Sequence, residues 1–194
     1  LLNRLVGEKV AIVSDVPGTT RNAIRGVVTR DDAQVVFLDT PGLSRPRSLL
    51  ARRLNDLVRD HLTGVDVVVL LVDVAAGLGS GDEFLVRMLA DVEVPIIAVA
   101  NKEDLVRRDV ATLSPQLLRL AELLPDAEIV PTSALDGANV DTLLELIIAA
   151  LPPGPRLFPG GIVSDQPDHQ LAAELLREKF LSRLHDELPH SLAV

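Results

Sequence analysis

Two apolar runs, VVVLLV at 67–72 and PIIAVA at 95–100, do not alternate with polar residues. A strand with one wet face shows a period of two, so an unbroken Val/Ile run belongs to a strand covered on both faces. Amphipathic stretches with helical spacing separate such runs, at 48–62, 81–91, 114–124 and 139–150. Strands alternating with helices give an open α/β sheet, mostly parallel, with helices on both faces. The expected strands are Ala23 to Thr29, Gln34 to Leu38, Asp66 to Val72, Pro95 to Ala100 and Glu128 to Val130. The first two, in RGVVTRDDAQVVFLD, read as an antiparallel hairpin turning at Asp31-Asp32.

The texture changes at 151–167, where LPPGPRLFPGGIVSDQP holds five prolines and three glycines. That is too many for a helix or a central strand, so the segment reads as a linker. It divides the chain into an α/β domain, 1–150, and the opening of a second domain, 168–194. In the second part Leu171, Leu175, Leu176, Phe180, Leu184 and Leu188 form one helical stripe. The chain begins at Leu1 without Met, and LLNRLV reads as the tail of a helix. We expect a piece of a longer protein, open at both ends.

Composition narrows the chemistry. A formal charge of −9 disfavours non-specific nucleic-acid binding, so any RNA contact is local. Cysteine is absent, which excludes a disulfide framework and thiolate metal sites within the chain. The longest apolar run falls far short of the ~18 residues of a spanning helix. The four histidines, His61, His169, His185 and His190, are scattered and carry no metal or base assignment.

Ligands of open α/β sheets bind beyond the carboxyl ends of the strands. Three polar segments are expected there, on one edge of one sheet: DTPG at 39–42, NKED at 101–104 and TSALDGANVDTL at 132–143. In NKED, Asp104 offers two acceptors and no donor, which matches the adjacent N1–H and N2–H₂ of guanine. Adenine lacks that paired donor edge and leaves the carboxylate unmatched. Asn101 can tie neighbouring loops, and the stem of Lys102 can lie against a base. An ordinary turn after a strand explains NKED equally well. Backbone N–H groups of Ser133, Ala134 and Leu135 could meet guanine O6, while Asn139 or Asp141 reads as a helix cap.

Asp39 follows an apolar strand, where a carboxylate is costly to bury without a cation or donors nearby. It could hold a water of a Mg²⁺ shell, and Gly42 lets its N–H approach a terminal phosphate. The alternative is an Asx turn followed by Pro-Gly. A threonine of VPGTTRN, 16–22, could complete the Mg²⁺ shell, although alone it reads as a simple turn.

The order TTR, DTPG, NKED, SAL resembles the TrmE–Era group of translation-factor-like GTPases. The tail, FPGGIVSDQP followed by AAELLREKFLSRLHDELPHSLAV, is similar to the junction and first helix of the KH domain in the Era family. The resemblance covers essentially the whole chain. It implies a P-loop GTPase domain followed by the start of an α+β KH domain that binds RNA. It implies that Thr20, rather than Thr19, is a Mg²⁺ ligand and catalytic switch residue. Asp39 becomes an outer-shell Mg²⁺ residue and Gly42 the γ-phosphate sensor. Thr40, Pro41 and Leu43 line the same phosphate segment. Asn101, Lys102, Glu103 and Asp104 form the guanine-reading turn, supported by Ser133, Ala134 and Leu135.

The resemblance further implies GTP hydrolysis with Mg²⁺, with a monovalent cation as an additional candidate. The implied partners are the 3′ end of 16S ribosomal RNA and the small ribosomal subunit, during ribosome maturation. The implied location is cytoplasmic, in part peripheral at the inner face of the membrane. A relative acting in tRNA modification or large-subunit assembly would lack the REK…ELPHS helix. A scaffold without phosphate contacts is the reading from a different class.

Three parts of the family pattern call for comment. The phosphate loop, G-x-x-x-x-G-K-[ST], is expected immediately before Leu1. The KH loop GXXG is expected beyond Val194, and residues 151–194 carry 4 basic and 6 acidic side chains. Leu43 stands where Ras-like GTPases place a water-orienting glutamine, a task leucine cannot perform. Replacing Leu43 with alanine in the full-length protein should therefore leave GTP turnover within about twofold, because no polar group is lost. Single-turnover phosphate release measures this directly.

Overall fold

A computed structural model of the chain describes residues 1–14, 24–40, 64–90 and 92–181. These residues belong to two compact units, one formed by 64–155 and the other by 2–14, 24–40 and 156–181. The expected helix at 48–62 lies outside the described residues.

The first unit is a three-stranded parallel sheet in the order β3-β4-β5, from Val68–Asp73, Ile96–Asn101 and Glu128–Thr132. Each strand runs one or two residues further than the apolar pattern, so that Asp73, Asn101 and Thr132 still belong to the ladder. The central strand, β4, is the most covered, with Ala98, Val99 and Ala100 fully buried. Residues that alternate in a strand face opposite sides, so β4 is packed on both faces.

One face supports the main apolar core. Leu70, Val72, Ala98 and Ala100 meet Val86 and Leu89 of α2, Ser80–Leu89, and Leu120 of α3, Val110–Leu123. Helix α4, Val140–Ala150, packs against β5 and buries Val140, Leu143, Leu144 and Ile147.

Helix α3 begins four residues before the expected start at 114. Asp109 caps it, with Oδ1 accepting the Thr112 N–H at 3.2 Å and Oδ2 accepting the Thr112 hydroxyl at 2.6 Å. Pro115 lies inside this helix without ending it, so the proline hid the start of the helical pattern.

The second unit is built on the hairpin of β1, Ile24–Thr29, and β2, Gln34–Asp39. Thr29 pairs with Gln34, and the Arg30 N–H donates to the Ala33 carbonyl at 2.8 Å across the turn. Helix α1, Leu2–Val6, packs on β1 over Gly26. A Cβ there would stand 2.7 Å from Leu2 Cδ1 and 2.8 Å from Val6 Cγ2, so any larger residue would make those two side chains shift.

The proline-rich segment after residue 155 bonds along this hairpin. Val27 N–H donates to the Val163 carbonyl at 2.8 Å, and the Ser164 hydroxyl donates to the Arg25 carbonyl at 2.8 Å. The Gln34 amide oxygen accepts the N–H groups of Leu157 and Phe158, while its nitrogen donates to the Phe158 carbonyl.

Helix α5, Asp168–Leu181, departs from the expected leucine stripe. It buries Arg177 and Leu181 at 3% and 4% exposure, while Leu176 and Phe180 are 53% and 47% exposed. Leu171 and Leu175 are half-buried, and Leu184 and Leu188 lie outside the described residues. Arg177 can occupy the inward line because the Glu174 carboxylate accepts from its guanidinium at 2.6 Å.

Leu120 sits at the centre of the first unit with no exposed surface. Leu120→Ala should destabilise the fold by about 2–5 kcal/mol, the range for a large-to-small core substitution. Urea titration should show a lower midpoint with an unchanged slope.

Candidate nucleotide site

The parallel register brings the ends of three strands to one level. Asp73 pairs with Asn101, and Asn101 pairs with Thr132. The chain therefore leaves β4 and β5 side by side, into NKED and SAL respectively. The Asn101 side-chain oxygen accepts the Ala134 N–H at 3.1 Å, joining the roots of the two loops.

Lys102 follows in the left-handed region, at φ 64° and ψ 31°, which is uncommon for a residue with a long side chain. It reverses the chain at once into a short 3₁₀ turn, Glu103–Leu105. The Lys102 ammonium meets Asp73 Oδ2 at 2.7 Å. Asp104 is half-buried in this turn, and among the described residues its carboxylate accepts no hydrogen bond. An acceptor pair that the protein leaves unused suits a ligand with two adjacent donors.

The opposing loop is internally fixed. Ser133 is fully buried, and its N–H donates to the Ala138 carbonyl at 3.1 Å. Asp136 closes the turn by accepting the Ala138 N–H at 3.0 Å and donating its own N–H to Ser133 Oγ at 3.2 Å. Leu135, between them, is 76% exposed.

Asn139 occupies the N-cap position of α4 but does not cap it through its side chain. Its backbone is left-handed, and its amide nitrogen donates to the Pro131 carbonyl at 2.7 Å. The capping expectation is corrected accordingly: the left-handed backbone turns the side chain toward β5. Asp141 stands in the first turn of α4, where a carboxylate complements the helix dipole.

Asp39 ends β2, paired with Ile24 in the two-stranded sheet. The expectation that all three loops leave one sheet therefore holds for NKED and SAL alone. Burial pushes the Asp39 carboxyl above the ordinary aspartate range. Thr40 follows, half-buried. Thr20, Pro41, Gly42 and Leu43 lie outside the described residues.

Three residues of this region were not anticipated. Asp73 accepts the N–H groups of Ala75 and Ala76, each at 3.1 Å, as well as the Lys102 ammonium. Burial pushes its carboxyl upward, but the Lys102 and backbone bonds together outweigh this and hold it below the usual value. The signal was present in the sequence: VVLLVD ends on an aspartate just as VVFLD does. Arg107 and Asp136 form an ion pair across the two loops. Nothing in the spacing of 107 and 136 announces it, because the contact depends on β4–β5 pairing.

The Asp136 carboxyl is lowered to about 2, first by the Ala138 N–H and then by Arg107. A depressed carboxylate contributes stability above its unfolded value of ~3.9. That contribution is lost as pH falls through about 2. Carbon-detected NMR titration should find the Asp136 midpoint near that value, and Arg107→Ala should move it upward.

Comparison with known proteins follows from this geometry. A family profile described as 50S ribosome-binding GTPase matches residues 1–102. The whole chain aligns with GTPase Era of Mycobacterium avium (strain 104), 49% identical over 197 residues. It spans 65% of that relative's length. A crystal structure of Era with MgGDPNP and nucleotides 1506–1542 of 16S ribosomal RNA superposes with a TM-score of 0.90 at 36% identity. The match covers 98% of this chain and 64% of that one. Aquifex aeolicus Era bound to GDP and AlF4⁻ gives the same TM-score, identity and coverage. Similarity to Era thus runs through the whole sequence and the described fold, and the chain belongs to the family of 50S ribosome-binding GTPases.

Proposed function

We propose that this chain is the guanine-nucleotide-binding part of a GTP-hydrolysing ribosome-assembly factor of the Era type. The observation that carries the reading is the Asn101–Ala134 hydrogen bond beside the unused Asp104 carboxylate. It holds the NKED turn against the SAL turn and leaves a two-acceptor edge available to guanine. Lys102, Glu103, Ser133 and Leu135 belong to the same two turns.

Asp39, with Thr20, is assigned to Mg²⁺, and Gly42 to the γ-phosphate. A single carboxylate at a strand end fits this ion, which keeps several waters and takes its other ligands from phosphates. When bound, Mg²⁺ neutralises charge on the phosphate oxygens. Burial raises the Asp39 carboxyl, and a cation at this position would favour its charged form.

Helix α5 opens the KH domain in this reading, and 16S ribosomal RNA near its 3′ end, on the small subunit, is the nucleic-acid partner. The complex of similar Era with 16S ribosomal RNA nucleotides supports that assignment. The reading includes a cytoplasmic location with peripheral membrane contact, and a monovalent cation beside Mg²⁺. Among the described residues no helix is long and apolar enough to cross a membrane.

The test is nucleotide binding by the full-length protein. It should prefer GDP and GTP over ADP and ATP, and hydrolyse GTP in a Mg²⁺-dependent reaction. Asp104→Asn replaces one acceptor with a donor. GDP affinity should fall about ten- to a hundredfold, the scale of a lost charged hydrogen bond. Xanthosine diphosphate, which carries a carbonyl where guanine carries the amine, should gain affinity. Equal binding of GDP and ADP by the unaltered protein would overturn the reading.

A further inference from the structure

We propose that the Arg107–Asp136 ion pair is a positioning clamp that fixes the separation of the NKED and SAL turns and so sharpens recognition of the guanine base. The inference rests on the guanine-binding reading above and adds two positioning residues to it.

Asn101 binds Ala134 where the two loops leave the sheet. That bond ties their roots. Asp104 lies further out, in the 3₁₀ turn, where no ladder hydrogen bond reaches. The 3₁₀ turn also lies against β5, and Val106 behind it is buried in the core, so what remains untied is the exposed polar rim of the two turns. Arg107 and Asp136 are joined at the tips, by the guanidinium Nη2 and the carboxylate Oδ2.

Both ends of this clamp are anchored. The Arg107 N–H donates to the Glu103 carbonyl at 2.6 Å, and its guanidinium also stands 3.6 Å from the Glu103 carboxylate. The cation is therefore fastened to the turn that carries Asp104. On the other side, Asp136 is bonded to the Ala138 and Ser133 groups described above, and Ser133 is fully buried. Arg107 thus grips a rigid turn and not a freely rotating side chain.

The pair is well exposed, at 39% for Arg107 and 44% for Asp136. Exposed ion pairs add little to global stability. Recognition is more sensitive, because a small displacement misaligns both hydrogen bonds that Asp104 accepts from the base edge. A clamp predicts a loss of guanine affinity with little change in melting temperature. A merely structural pair predicts neither a base-specific effect nor coupling to the nucleotide.

The experiment uses the full-length protein and competition titrations with GDP, inosine diphosphate and ADP. Inosine lacks the 2-amino group, so the GDP-to-inosine ratio reports the second Asp104 hydrogen bond. The variants are Arg107→Ala, Asp136→Asn, both together, and the charge-swapped pair Arg107→Asp with Asp136→Arg. Asp136→Asn keeps an oxygen for the Ala138 N–H while removing the charge.

Each single variant should weaken GDP binding about three- to fivefold, the upper range for an exposed pair. The GDP-to-inosine ratio should narrow, and the double variant should be no weaker than the worse single. Unchanged GDP affinity and ratio in both single variants would overturn the clamp, as would strictly multiplicative losses in the double variant. If Arg107→Ala loses its folded circular dichroism, the other two decide: recovery of GDP binding in the charge-swapped pair supports the clamp, and unchanged GDP binding in Asp136→Asn, which keeps the turn bond, refutes it. Failure of the unaltered protein to distinguish GDP from ADP would instead remove the guanine reading itself.

Discussion

The parallel ladder β3-β4-β5 is the constraint on which the geometry of the candidate site depends. Its register sets Asp73, Asn101 and Thr132 in one row at the carboxyl ends of the strands. A slip of one residue would turn each of these side chains to the other face. This ladder lies inside the fold, with Ala98, Val99 and Ala100 of β4 excluded from solvent. The apolar interior thereby determines a polar outcome: Lys102 reaches Asp73, Asn101 reaches the Ala134 N–H, and Arg107 reaches Asp136.

The second unit combines apolar burial, at Leu5, Val27 and Val35 among others, with hydrogen bonds along its hairpin. Its hairpin has a regular antiparallel register, and the proline-rich segment is fastened to it by Val27, Gln34 and Ser164. Arg25–Asp165 and Lys9–Glu178 add ion pairs at 2.6 Å. Both are substantially exposed on the cationic side, so their energetic contribution is small. One ties the approach to α5 at Asp165, and the other ties the helix itself at Glu178. In sequence, this hairpin separates Thr20 from Asp39, the residues assigned to the Mg²⁺ site, and the same hairpin carries the entry to α5.

Much of this was legible without coordinates. The apolar runs identified the five strands of the described residues, and the hairpin turn fell at the expected aspartates. The errors have physical causes. Pro115 masked the first turn of α3, which Asp109 caps. Asn139 resembled a cap in residue type, but its left-handed backbone sends its amide to Pro131 instead. Residue type carries propensity, while the partner of a polar group depends on the surrounding backbone.

The sequence by itself determined the α/β class, the candidate loops and the chemistry available in them. A carboxylate with two acceptors, an asparagine that can bridge loops and a strand-terminal aspartate are properties of residue type and local order. Only the tertiary structure decided which of them meet. Asp73, Arg107 and Asp136 enter the site because strand pairing places segments distant in sequence side by side. Those contacts are side chain to side chain across different strands and turns, so no local period encodes them.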